Sequence, residues 1–164
     1  MKKQRGFSLI ELLIVVAIIL IIAAIAIPNL IRSRIAANEA SAAGSIRSIV
    51  TAEISYSATY GVGFPAALGN LGGALPCTPS AATACLIDPL VSGGVKSGYN
   101  LAAAGGGANN SQFVASAVAI TANVTGTSTF CASEDGVVRK DPTGPAAPAN
   151  SAACQAFPAM NSNN

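Results

Sequence analysis

Apolar and polar positions divide the chain into three regimes. From Phe7 to Ile27 every residue is apolar except Ser8 and Glu11. A helix apolar all round needs apolar surroundings on every side. These twenty-one residues, at about 1.5 Å rise each, make roughly 31 Å of helix, which matches a hydrocarbon core of about 30 Å. After Pro28 the pattern becomes sided. Ile31 and Ile35 are four apart, and Ile46, Ile49, Val50 and Ile54 follow at i, i+3, i+4 and i+8. Ala36, Ala37, Ala40, Ala42, Ala43 and Ala52 favour helix. Arg32, Arg34, Glu39, Arg47 and Glu53 fall off the stripe. The pattern predicts one long helix, bent near Pro28 and ending about Tyr60, with Gly61 as a C′ glycine. Its second half should lay the Ile46–Ile54 stripe on a sheet. Pro28 has two readings: a kink or melted stretch, because it lacks an N–H and crowds the preceding turn, or a simple marker of membrane exit.

The third regime is strand-like. Residues 61–98 are dense in Gly, Pro and turn formers and read as a connection between helix and sheet. Tyr99–Ala103 and Phe113–Thr121 read as strands joined through the glycine-rich run Gly105–Asn110. Thr127–Ala132 and Gly136–Lys140 form a second hairpin across Ser133-Glu134-Asp135-Gly136. Adjacent hairpins over 99–140 predict an antiparallel meander. Residues 141–164, rich in Pro, Ala and Asn, read as a C-terminal loop. The fold class is therefore α+β: a long N-terminal helix packed on a small antiparallel sheet. A head of about a hundred residues holds only a modest core.

Composition narrows the chemistry. The chain has no His, which removes the commonest general base and metal ligand. Every Ser or Thr lacks a His base, and Gly105–Gly107 has no following Lys-Ser/Thr, so neither a nucleophile nor a phosphate loop is expected. The reading is of a protein without catalytic residues, cofactor, metal or small-molecule substrate. The formal charge of +2 is inflated by Lys2, Lys3 and Arg5. Without residues 1–6 the side chains sum to −1, from six basic and seven acidic groups. No clustered basic face for nucleic acid remains. Glu134, Asp135 and Asp141 surround one turn, where a solvated turn is a better reading than a Ca²⁺ site. Asn109-Asn110-Ser111 and Asn123-Val124-Thr125 are weak glycosylation sequons. The four cysteines, Cys77, Cys85, Cys131 and Cys154, contain no CxxC pair. An even count beyond an N-terminal apolar segment points to two disulfides in an oxidising compartment. Three connectivities are open. Cys77–Cys85 and Cys131–Cys154 are favoured because each closes a local loop.

Glu11 is the most informative residue. A charge at mid-bilayer costs roughly 2.5–3.5 kcal/mol. Near the end of the span it costs less, yet it still calls for a partner. No other ionisable side chain lies between Phe7 and Ile27. A cut after Gly6 would create a counter-ion, the free amine of Phe7. An ordinary signal peptide has a shorter apolar run, and an ordinary anchor does not explain Glu11.

The segment KKQRG-FSLIELLIVV resembles the N-terminal signal of type IV prepilins and pseudopilins: a short basic leader, Gly, the cut, Phe, and Glu four residues on. Gly6, Phe7 and Glu11 match position by position, and Pro28 falls where these families commonly carry a proline. The resemblance covers about the first thirty residues. It implies a leader over 1–6, a transmembrane and filament-core helix over 7–27, an amphipathic continuation over 28–60, and a pilin-like head beyond. It implies cleavage between Gly6 and Phe7 and N-methylation by a prepilin peptidase, with Glu11 pairing to the Phe7 amine of a neighbouring subunit. The implied partners are copies of the chain in a helical filament and an inner-membrane assembly platform. The implied route runs from single-pass membrane protein, N-terminus inside, to extracellular filament. Secretion pseudopilins share the signal but often replace a C-terminal disulfide with Ca²⁺, so Cys131 and Cys154 favour a pilin. A tethered domain that never polymerises is a remoter alternative.

Overall fold

The computed structural model describes residues 7–144 and 146–160. Gly6, part of the expected cleavage site, lies outside them. One helix, α1, spans Leu9–Tyr60 with Pro28 inside it. It ends where the sequence predicts: Gly61 takes φ 65° and donates its N–H to the Ser57 carbonyl at 3.0 Å. A left-handed residue there suits glycine, which has no Cβ to clash. The chain divides into two compact units after Arg34.

The second unit holds a five-stranded antiparallel sheet in sequence order. Its strands are β1 (Val95–Lys96), β2 (Tyr99–Gly106), β3 (Gln112–Ala119), β4 (Thr129–Ser133) and β5 (Arg139–Asp141). The central register pairs Leu101 with Ala117, Ala103 with Ala115, Ala115 with Ala132 and Ala117 with Phe130. With period-two alternation, these residues, Tyr99 and Phe113 share the face that packs in one cluster with Ala42, Ala43, Ile46, Ile49, Val50 and Tyr56 of α1. The opposite face carries Ser116 beside Cys131.

The helix meets this core with a different stripe from the one the sequence suggested. Ile46, Ile49 and Val50 are buried, but Ile54 is 52 % exposed and Glu53 is 0 % exposed. At about 100° per residue, Glu53 lies roughly 20° from Ile46 around the helix and Ile54 roughly 80° away on the other side. Geometry, not polarity, selects the buried position.

Of three further departures, two concern segments read as loops and one a strand. The connection 61–98 carries a 3₁₀ turn at Leu68–Leu71, a short helix α2 at Pro89–Ser92 and strand β1. Asp88 caps α2, accepting the Leu90 N–H at 2.7 Å, with Pro89 at the first helical position. The C-terminal segment forms a helix, α3, over Ser151–Gln155, capped by Asn150 accepting the Ala153 N–H at 2.8 Å. The β4–β5 hairpin starts its second strand late. Asp135 accepts the Val137 N–H at 3.0 Å and the Arg139 guanidinium, which takes residues 137 and 138 out of the ladder.

Side chains from α1 clamp the loops around the sheet. Glu39 accepts from the Thr127 N–H at 3.0 Å, the Thr127 hydroxyl at 2.6 Å and Lys140 Nζ at 3.1 Å. Burial alone would raise its pKa, but these donors outweigh burial and hold it below the usual value. Asn38 donates to the Thr125 carbonyl at 2.9 Å. The same loop presses Gly126 against the buried Tyr99, whose hydroxyl donates to the Ser128 carbonyl at 3.0 Å. A Cβ on Gly126 would fall within 1.9 Å of that hydroxyl. Gly126→Ala should therefore displace Tyr99 and cost about 1–3 kcal/mol. The check is a melting temperature lowered by roughly 5–15 °C, with a changed near-ultraviolet tyrosine signal.

Candidate assembly segment

The apolar stretch of α1 offers its side chains outward. Phe7, Leu9, Ile10, Leu12 and Leu13 are all exposed, and so are the Ile, Leu and Val residues from Ile14 to Ile27. Among the described residues this is the one helix long and apolar enough to cross a membrane, with a window of mean hydropathy 3.3. At about 1.5–3 kcal/mol for each large side chain, fifteen such residues between Phe7 and Ile27 cannot stand in water. They require lipid, or other helices of the same kind.

The sequence also sets where the helix begins. Ser8-Leu9-Ile10-Glu11 has the S-x-x-E form of a capping box, in which the N3 carboxylate returns to the N-cap N–H. That half of the box is present: the Ser8 N–H donates to Glu11 Oε2 at 2.9 Å. Phe7 and Ser8 precede the first helical residue, Leu9. Glu11 thus has a partner within its own chain, an interaction that reading it only as a counter-ion overlooks. The S-x-x-E spacing was the signal that could have revealed it.

The cysteines lie in the second unit. Cys77 is bonded to Cys85 across a separation of 8 residues, and Cys131 to Cys154 across 23. The first pair staples the connection after α1. The second is fully buried and fastens α3 to β4. The carboxylates near the β4–β5 turn do not converge. Glu134 accepts from Ser151 and Gln155, Asp135 binds Arg139, and Asp141 binds Thr143. The Arg139 guanidinium, with smaller help from the Val137 N–H and Ser133, holds Asp135 below the usual carboxylate range despite its burial.

Comparison with known proteins bears on the N-terminal part. Residues 1–27 match the family described as the prokaryotic N-terminal methylation motif. The chain is 48 % identical over 54 residues to the type IV major pilin protein PilA of Myxococcus xanthus, which is 33 % of this chain and 24 % of that one. It is 59 % identical over 39 residues to the type IV wide pilus major component PilA4 of Thermus thermophilus, covering 24 % of this chain and 30 % of the relative. The matches thus span less than a third of either relative's length. No solved structure gives a significant match. The chain carries a prepilin-type N-terminal motif, and up to a third of it is similar to type IV major pilins. It combines that motif with a pilin-like α+β head.

Proposed function

We propose that this chain is a structural subunit of an extracellular filament of the type IV pilus kind. The observation that carries the reading is the methylation motif over residues 1–27, set on a helix whose large apolar side chains are exposed from Leu9 to Ile27. In this reading a prepilin peptidase cuts between Gly6 and Phe7 and methylates the new amine. The helix waits in the inner membrane as a single span. An assembly platform then moves it into a bundle with its copies, where Glu11 pairs with the Phe7 amine of a neighbour. Lipid to helix bundle is apolar to apolar, so burial gives little net drive. Packing and one desolvated charge pair must set the register. Pro28 lies just past the span and would adjust the packing of successive subunits. The head, held by Cys77–Cys85 and Cys131–Cys154, forms the outer surface. The pilin reading is preferred to a secretion pseudopilin because both relatives are named as major pilins.

The test is the intact mass of the protein in filaments sheared from cells. The expected mass lacks residues 1–6 and four thiol hydrogens, and carries one added methyl. Full-length protein confined to membranes would overturn the reading in favour of a tethered monomer. Loss of protein export on gene deletion, with no surface filaments in the parent, would favour the pseudopilin.

A further inference from the structure

Glu53 lies on the buried face of α1, in line with Ile46 and Ile49 of the core cluster. It is 0 % exposed, and neither carboxylate oxygen has a hydrogen-bond partner. The core elements packed with this face, Leu68–Leu71, β2, β3 and β4, contain no Lys, Arg, Asp or Glu. Their one titratable group is Tyr99, whose hydroxyl is bound to the Ser128 carbonyl. On α1 itself, the Tyr56 hydroxyl donates to the Ala81 carbonyl at 2.7 Å, Tyr60 lies at the helix end, and Arg47 is exposed. At the sheet edge Arg139 is held by Asp135 and Lys140 by Glu39. Among the described residues, no cation forms an ion pair with Glu53. An isolated carboxylate in an apolar core is expelled or protonated, because ionisation there is far costlier than in water.

We propose that Glu53 is a proton-operated latch between the long helix and the sheet: as a neutral acid it lets the two pack, and on ionisation it forces this seam open. The inference rests on the packing of the head alone and is independent of the filament reading. Burial pushes the Glu53 carboxyl from 4.5 up to about 8. The folded value lies above the unfolded one. The protonated form's contribution to stability is therefore complete below about 4.5, declines from there to about 8 and is gone above it. Glu39 and Asp135 act in the opposite sense, since their lowered values cost stability only in acid. The head should be firmest in mildly acidic solution and should loosen through mildly alkaline pH.

The test compares the detergent-solubilised full chain with its Glu53→Gln variant, melted at pH steps from 5 to 9 and followed by tyrosine circular dichroism. The wild type should lose about a hundredfold or more in its folding equilibrium constant between pH 5 and 9. The Gln variant, which cannot ionise, should stay level over that range. Superimposable pH profiles would overturn the proposal. If Glu53→Gln does not fold, isotope-edited infrared spectroscopy decides on chains labelled at glutamate, in a Glu11→Gln background. A neutral-carboxyl band that persists at pH 7 and disappears near pH 8 supports the latch; its absence at pH 7 refutes it.

Discussion

Replacing Glu11 with Ala should leave the protein in the membrane and cut surface filament to less than about a tenth of wild type. Insertion is secure because the fifteen large apolar residues between Phe7 and Ile27 remain, and removing a charge from the span helps it by up to about 2.5 kcal/mol. In the proposed filament, assembly would lose its one desolvated charge pair. Close interfacial pairs are coupled by about 1.5–7 kcal/mol, and each 1.4 kcal/mol is about tenfold in the constant for adding a subunit. The structure adds a competing account. Glu11 also closes half of a capping box on the Ser8 N–H, and losing a cap costs roughly 0.5–2 kcal/mol of helix stability. Glu11→Gln separates the two. Its amide oxygen can still accept from Ser8, but it carries no charge. If pairing with the Phe7 amine is what matters, Gln fails as Ala does. Filament yield near wild type in Glu11→Gln would assign Glu11 to the cap and remove it from assembly. Yield is read by quantifying sheared filaments against membrane-retained protein in the same cells.

How much of this was legible in the sequence depended on whether the signal was local. The extent of α1 and its end at Gly61 follow from periodicity and a glycine that takes φ 65°. The order of the main strands follows from alternation and turn residues. Glu53 was misplaced because a polarity pattern cannot register a buried charge. The fully buried line passes from Ile46 through Ile49 to Glu53, and Ile54, one residue on, is wet. Helix α3 was missed because Pro and Ala suggested a loose tail, although Asn150 before Ser-Ala-Ala is a cap signal. The Glu39 clamp joins residues 88 and 101 positions apart in sequence, so no local pattern could announce it. Phe7 and Glu11 stood out for the opposite reason: a lone carboxylate in an apolar run is conspicuous without a fold.

The second large effect concerns the bond between Cys131 and Cys154. Removing it as Cys131→Ala with Cys154→Ala should lower head stability by about 3 kcal/mol or more. A closed loop of this length, with a separation of 23 residues, restricts the unfolded chain by roughly that amount. Both cysteines are fully buried, so the variant also loses packed sulfur in a core that cannot readily collapse. The consequence is directional. Helix α3 has only the five residues Ser151–Gln155, too few to persist unaided. Its side chains Ser151 and Gln155 supply the donors that hold Glu134. Cutting the bond should therefore free the chain beyond Asp141 before the sheet melts. Limited proteolysis should cleave after that residue at protease levels the wild type withstands, and the melting temperature should fall by roughly 10–20 °C. The Cys77→Ala, Cys85→Ala pair offers a contrast. Its loop is shorter, with a separation of 8, and its half-buried sulfurs lie outside the sheet. That variant should expose the connection around residues 73–86 to protease while β4 and α3 stay protected. Equal cleavage beyond Asp141 in both variants would show that the tail is held by its hydrogen bonds and not by the buried disulfide.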